Sequence, residues 1–301
     1  MKIAVLGAGA VGSYYGGILC EAGHEVTLLA RGAHLAAVRT NGLEVRTPER
    51  SFCVHPTVTD NHTEMEAVDF ALVAVKNYSI GEIAPAARYL SEKSAIIVPL
   101  LNGVEAAAML EKAGVAHRLL LGGLTTISVV RSSPGIVERK SPFQRVVIGE
   151  LDGGDSVRAA RLADALRACG VEAVVSADIR TELWRKFAFI STMAAVCGLS
   201  RSAIGPIRST VRGRRLVERA VSEVVAVART QGTAIDAGEE KRIVEFIYSL
   251  PESMKPSFLL DLESGGLTEI DDLCGAVSRL GAEAKIATPV HDVAAAALGA
   301  K

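Results

Sequence analysis

Gly7-Ala8-Gly9-Ala10-Val11-Gly12 spaces its glycines as G-x-G-x-x-G, directly behind the apolar run Ile3-Ala4-Val5-Leu6 and at the head of a helical stretch. In that setting each glycine has a task. Gly7 permits a tight turn, Gly9 lets the backbone approach a pyrophosphate, and Gly12 lets the helix lie close on the strand. The helix start then offers free N–H groups and partial positive charge to the anion. Gly7, Ala8, Gly9, Ala10, Val11 and Gly12 therefore form a candidate dinucleotide loop. NAD-specific folds usually end the second strand on an acid that takes the ribose hydroxyls, but here the run ends Leu28-Leu29-Ala30-Arg31. A guanidinium suits a ribose 2′-phosphate by charge and bidentate geometry, so NADPH is the expected cofactor. The other reading of Arg31 is a solvated arginine in the first turn of a helix.

Two further residues carry charge into apolar or helical surroundings. Lys186 lies in Glu182-Leu183-Trp184-Arg185-Lys186-Phe187-Ala188-Phe189-Ile190. Taken alone it reads either as a catalytic cation or as a snorkelling lysine whose stem covers apolar surface. Glu269 reads either as a functional acid or as a first-turn carboxylate behind an N-cap at Thr268, favoured by the helix dipole.

The elements that must position these groups follow from periodicity. β-branched runs at 3–6, 25–29, 70–75 and 95–99 alternate with helical patterns at 10–22, 80–90 and 104–113, the signature of βαβ units and a parallel sheet covered on both faces. Segments 43–46 and 51–55 flank Thr47-Pro48-Glu49-Arg50 and predict a hairpin. From 119 to 149, β-rich segments broken by Ser133-Pro134-Gly135 and Ser141-Pro142 predict antiparallel strands closing that sheet. A helix at 156–169 and a strand at 172–175 follow. Beyond Ala177 strand signals stop, and helices are expected at 179–199, 209–231, 238–248, after Pro256, and at 269–280. The expected fold class is α/β: an N-terminal Rossmann-like dinucleotide-binding domain at 1–177 and a C-terminal all-helical domain at 178–301.

Composition narrows the function classes. The 301 residues carry 33 Lys+Arg against 34 Asp+Glu, a net charge of −1, which removes the electrostatic case for nucleic acid or an anionic membrane. Cys20, Cys53, Cys169, Cys197 and Cys274 stand singly, without C-x-x-C spacing, and predict free, mostly buried thiols in a reducing cytoplasm. The six histidines are scattered, and no metal is expected. The glycines between Lys2 and Cys20 argue against reading that stretch as a secretory signal. A homodimer is the base-rate expectation for assembly.

Collectively the residues resemble the ketopantoate reductase family. The resemblance covers essentially the whole chain: the glycine loop, Arg31, Val75-Lys76, Leu101-Asn102-Gly103-Val104, Trp184-Arg185-Lys186, and Pro256-Ser257 followed by Thr268-Glu269-Ile270-Asp271. It implies NADPH-dependent reduction of a 2-keto acid to a 2-hydroxy acid, with ketopantoate as the named candidate. It further implies that Lys186 polarises the ketone and donates the proton, and that Glu269 orients the substrate's hydroxyl or Lys186. Ser257 would bind near the substrate carboxylate, Asn102 would sit near nicotinamide and substrate, and Lys76 would assist cofactor and site organisation. Each of the last three has a plain alternative: an Asn-Gly turn, a helix cap after Pro256, and an exposed strand-end lysine. The chain also departs from the family, which commonly has asparagines four and eight residues after the lysine, here Ile190 and Ala194, and a glutamine where Ser79 stands. A site lacking those polar partners discriminates poorly for a polar substrate group, which points to a more apolar 2-keto acid. A non-catalytic NADPH sensor is the reading from another class, and it requires neither Lys186 nor Glu269.

Overall fold

The computed structural model describes residues 1–299. The chain separates into two compact units, one of residues 1–101 and 105–179, the other of residues 102–104 with 180–301.

The first unit is α/β. Five strands, β1 (Lys2–Leu6), β2 (Glu25–Leu29), β5 (Thr57–Thr59), β6 (Phe70–Val73) and β7 (Ile96–Pro99), form a parallel sheet in the order β5-β2-β1-β6-β7. β1 and β6 are apolar on both faces because helices cover both, as parallel crossovers require. Helix α1 (Ala10–Glu21) presents a glycine face: a Cβ on Gly16 would lie 2.7 Å from Leu28 Cδ2, and one on Gly17 2.5 Å from Val45 Cγ2. Helices α2 (Gly32–Asn41), α3 (Ile80–Glu92) and α4 (Ala106–Lys112) follow their strands. The hairpin at 43–54 is present as β3 (Leu43–Arg46) and β4 (Ser51–Val54), with the Thr47 N–H donating to the Arg50 carbonyl.

The strands beyond residue 119 do not close the parallel sheet as expected. β9 (Val129–Ser133) and β10 (Ile136–Arg139) join the hairpin in a second sheet of order β4-β3-β10-β9. β11 (Arg145–Gly149) pairs antiparallel with β8 (Gly122–Thr126) and parallel with β12 (Glu172–Val175), packed by α5 (Val157–Ala168), in a third sheet of order β12-β11-β8. Among the described residues, a parallel bridge between Ile97 and Leu120 is the link by backbone pairing between β7 and the segment that leads into β8. The physical reason is the Pro134-Gly135 turn, with Gly135 at φ +80°, which folds β10 back on β9 and delivers it to β3. Helix α4 also starts two residues later than expected, because Asn102 and Gly103 form a bend with Gly103 at φ +91°.

The second unit is helical: α6 (Ile179–Ser200), α7 (Ile204–Arg208), α8 (Val211–Thr230), α9 (Ala237–Ser249), α10 (Ser257–Glu263), α11 (Ala276–Ala284) and α12 (Pro289–Gly299). α8 shows why it folds: Val217, Val221, Val224, Val225 and Ala228 recur at helical spacing and are fully buried. Thr210 caps its start by accepting the Gly213 N–H at 2.9 Å. No helix among the described residues is long and apolar enough to cross a membrane. Of the cysteines only Cys197 and Cys274 are buried, while Cys53 is exposed, so the expectation of mostly buried thiols is corrected.

Candidate active site

At the first strand–helix turn, Gly7 adopts φ +101°, and a Cβ there would stand 2.2 Å from Val75 Cγ1. Gly12 is equally constrained, since its Cβ would reach the Gly7 carbonyl oxygen at 2.1 Å and Val5 Cγ1 at 2.9 Å. Gly9 is different. Its φ is −73°, open to any residue, and a Cβ would meet only the Ala74 carbonyl oxygen at 3.9 Å. Nothing inside the protein demands glycine at position 9, so the space it leaves open fits a ligand that approaches the backbone. Ala8, Ala10 and Val11 complete the turn into α1, and α1 begins at Ala10 with no side-chain cap on its free N–H groups.

Arg31 is the N-cap of α2, with extended φ −138° and ψ 160°. Its guanidinium pairs with Glu82 Oε2 of α3 at 2.5 Å, both side chains largely exposed. That partner lies 51 positions away and no local sequence signal announces it. Lys76 stands just beyond β6, where its carbonyl accepts the Ser79 N–H in a single 3-10 turn that leads into α3.

In the helical unit, Lys186 follows Arg185 on α6, and the Arg185 guanidinium pairs with Glu182 and Glu239. Lys186 does not snorkel: its Nζ donates to Asn102 Oδ1 at 3.0 Å. The same amide donates through Nδ2 to Glu269 Oε2 at 3.3 Å. Burial of the ammonium lowers the Lys186 pKa from its usual value to about 8, and the neighbouring Glu269 charge resists that fall. The neighbours of Lys186 in the chain, Trp184 and Phe187, stacked edge to face with centroids 5.4 Å apart, belong to the apolar core of the helical unit.

Glu269 is only 4% exposed, and its place differs from the expected one. It precedes the helix rather than lying in its first turn behind a Thr268 cap: its own carbonyl accepts the Leu273 N–H at 2.9 Å. The expected helix at 269–280 is interrupted by a π-helical turn, Asp271–Gly275, before α11. One extra residue per turn re-aims the side chains at its start, a feature frequent at functional sites.

The structure thus gathers Lys186, Asn102 and Glu269 through one amide. Ser257 is exposed at the first position of α10, with Pro256 as the N-cap and no side-chain cap bond, so the capping alternative is removed. Ile190 is half-buried one turn beyond Lys186, whereas Ala194 is fully buried in the helical core.

Residues 3–153 match the family described as ketopantoate reductase PanE/ApbA, and residues 178–301 its C-terminal counterpart. A 2-dehydropantoate 2-reductase of Halobacterium salinarum is 32% identical over 294 residues, covering 96% of this chain and 95% of that one. Among solved structures, the 2-dehydropantoate 2-reductase of Geobacter metallireducens superposes with a TM-score of 0.90 at 29% identity, covering 99% of both chains. D-mandelate dehydrogenase, solved with NADH and anilino(oxo)acetate, superposes with a TM-score of 0.89 at 27% identity, covering 100% of this chain and 98% of that one. Fold and site define an oxidoreductase with a Rossmann-type NAD(P)-binding unit and a helical unit. The two matches span nearly the whole sequence, and the chain belongs to the ketopantoate reductase family.

Proposed function

We propose that this protein uses NADPH to reduce a small 2-keto acid to the 2-hydroxy acid, with 2-dehydropantoate as the leading substrate and pantothenate biosynthesis as its pathway. The observation that carries the reading is the hydrogen-bonded chain Lys186–Asn102–Glu269, with Lys186 poised at about pH 8. Cofactor binding alone needs no such chain. The reduced nicotinamide, when bound, supplies the hydride that the carbonyl carbon receives. Lys186 Nζ hydrogen-bonds the carbonyl oxygen and gives it a proton as negative charge develops there, a group whose pKa near the working pH suits a general acid. Asn102 Oδ1 holds Nζ in one direction, and Glu269 favours its charged form.

In this reading residues 1–177 bind NADPH and residues 178–301 carry substrate and catalysis. Gly7 to Gly12 hold the pyrophosphate, Arg31 the 2′-phosphate, and Lys76 assists the cofactor. Asn102 serves nicotinamide and substrate, and Ser257 the substrate carboxylate. Arg31 supports NADPH over NADH by charge, although it must exchange Glu82 for the phosphate.

A second reading keeps the chemistry and changes the substrate to a more apolar 2-keto acid. It is favoured by Ile190, an aliphatic side chain one turn from Lys186, and by the likeness to D-mandelate dehydrogenase. The deciding measurement is the loss of NADPH absorbance with ketopantoate beside ketoisovalerate and bulkier apolar 2-keto acids. Turnover of ketopantoate supports the first reading, and turnover of the apolar acids alone supports the second. No turnover with any of them would overturn both in favour of an NADPH sensor.

A further inference from the structure

Ser13 and His34 take part in no step above, yet both are sealed inside the α/β unit, at 0% and 4% exposure. They form a hydrogen-bonded chain whose direction is determined throughout. The Gly135 N–H, at the turn between β9 and β10, donates to His34 Nδ1 at 3.0 Å. Nδ1 therefore carries no proton, and a neutral ring must carry it on Nε2. Nε2 lies 3.0 Å from Ser13 Oγ, to which it donates. Ser13 Oγ is then free to donate onward, and it does so to the Ala8 carbonyl at 3.0 Å.

Ala8 is the second residue of the glycine loop. Its N–H is also held, donating to the Leu29 carbonyl at 3.1 Å. No cis peptide occurs among the described residues, so the Ala8–Gly9 peptide is trans and its C=O and N–H point in opposite directions. Drawing the Ala8 carbonyl to Ser13 turns the Gly9 N–H the opposite way, away from Ser13, at the one glycine of the loop whose Cβ position is not crowded. Gly9 is the one loop glycine for which the protein itself has no use.

We propose that Ser13 and His34 are positioning residues for the dinucleotide phosphate, aiming the Gly9 amide through the Ala8 carbonyl, and that they do so only while His34 is neutral. The proposal rests on the reading that the glycine loop holds a nucleotide. A proton on Nδ1 would set one N–H against that of Gly135 and break the chain at its origin. Burial first, and Arg131 on β9 second, hold the His34 pKa below the ordinary imidazole range. Helix α1 offers the ring the Ser13 hydroxyl, the β9–β10 turn offers the Gly135 amide, and Arg131 is the charged group that acts on it. The neutral chain is therefore intact at neutral pH and is lost as pH falls below the histidine range.

The test is an equilibrium fluorescence titration with NADPH, from about pH 7.5 down to about pH 4.5, below the ordinary histidine range. Ser13→Ala and His34→Ala should each weaken binding about tenfold at the upper pH, with kcat at saturating cofactor little changed. Wild-type affinity should fall toward that of the variants at the lower pH. His34→Gln, which keeps a donor near Ser13 but takes up no proton, should retain most of the affinity and lose the pH dependence. Near-ultraviolet circular dichroism establishes that each variant is folded. Folded Ser13→Ala and His34→Ala proteins that bind NADPH as the wild type does would overturn the proposal, as would a His34→Gln protein with the wild-type pH profile. A wild-type protein that binds no nucleotide would instead overturn the reading beneath it.

Discussion

Lys186 and Glu269 are joined by the two ends of one amide: Asn102 accepts from the lysine through Oδ1 and donates to the carboxylate through Nδ2. An asparagine can fill both roles at once only if its oxygen faces the ammonium and its nitrogen the acid. The arrangement transmits orientation while keeping Asn102 between the two groups. Burial lowers the Lys186 pKa to about 8, and the Glu269 charge keeps it from falling further.

The first prediction is a pH profile. With Lys186 as the proposed acid, whose pKa burial lowers to about 8, kcat/KM for the keto acid should be flat near neutrality and fall above about pH 8. The reverse oxidation needs the free amine and should rise over the same range. Glu269→Gln removes the charge that holds the pKa up, so the descending limb should move to lower pH. A reduction rate unchanged up to about pH 10 would exclude Lys186 as the acid.

Lys186→Ala should lower turnover by roughly 10²–10⁴-fold while NADPH affinity stays nearly intact. Steady-state kinetics beside a binding titration separate the two effects. Unchanged turnover would sink the mechanism.

Stability should respond differently to one and to two replacements. Lys186→Met removes a positive charge that acts on the buried Glu269 and should cost about 3 kcal/mol in a urea melt near pH 8. Adding Glu269→Gln removes the opposing charge and keeps a group for the Asn102 amide, so most of the loss should be recovered. A double variant no more stable than the single one would show that the two charges are not coupled.

Arg31 and Glu82 predict a cofactor effect from each side of their ion pair. Arg31→Asp should weaken NADPH far more than NADH, because it exchanges attraction for the 2′-phosphate for repulsion. Glu82→Gln frees the guanidinium and should tighten NADPH, by several-fold at most since the pair is exposed, while leaving NADH unchanged. Parallel titrations with both cofactors measure this, and equal changes for the two would reduce Arg31 to a role in the fold.

Much of this was legible in the residues. The parallel strands at 3–6, 25–29 and 96–99 announce themselves by continuous apolar runs, and the loop at 7–12 by glycine spacing. The β-rich stretch from 119 to 149 shows its strands but not their sheet, because alternation tells that a segment is a strand, not which partner it takes. Pairing of β10 with β3 is a long-range choice, made by the Pro134-Gly135 turn and by the apolar side chains that β3 offers. The three-residue β5 is too short to show a period. Near the site, Lys186 and Glu269 each had a bland local explanation, and only their shared partner removes it. Asn102 lies far from both in the chain, so no window of sequence contains the relationship. The same holds for Ser13 and His34, whose meaning comes from the carbonyl they restrain.

Residues 102–104 group with the helical unit although α/β segments flank them on both sides in the chain. A gene fragment beginning at residue 180 would therefore encode the lysine and the carboxylate but not the amide that joins them. Split-protein complementation, domain shuffling between relatives, or recombination at the obvious seam would each sever that three-residue graft. A crossover design that respects the chemistry has to transplant Asn102, Gly103 and Val104 together with the helices, as one inherited block.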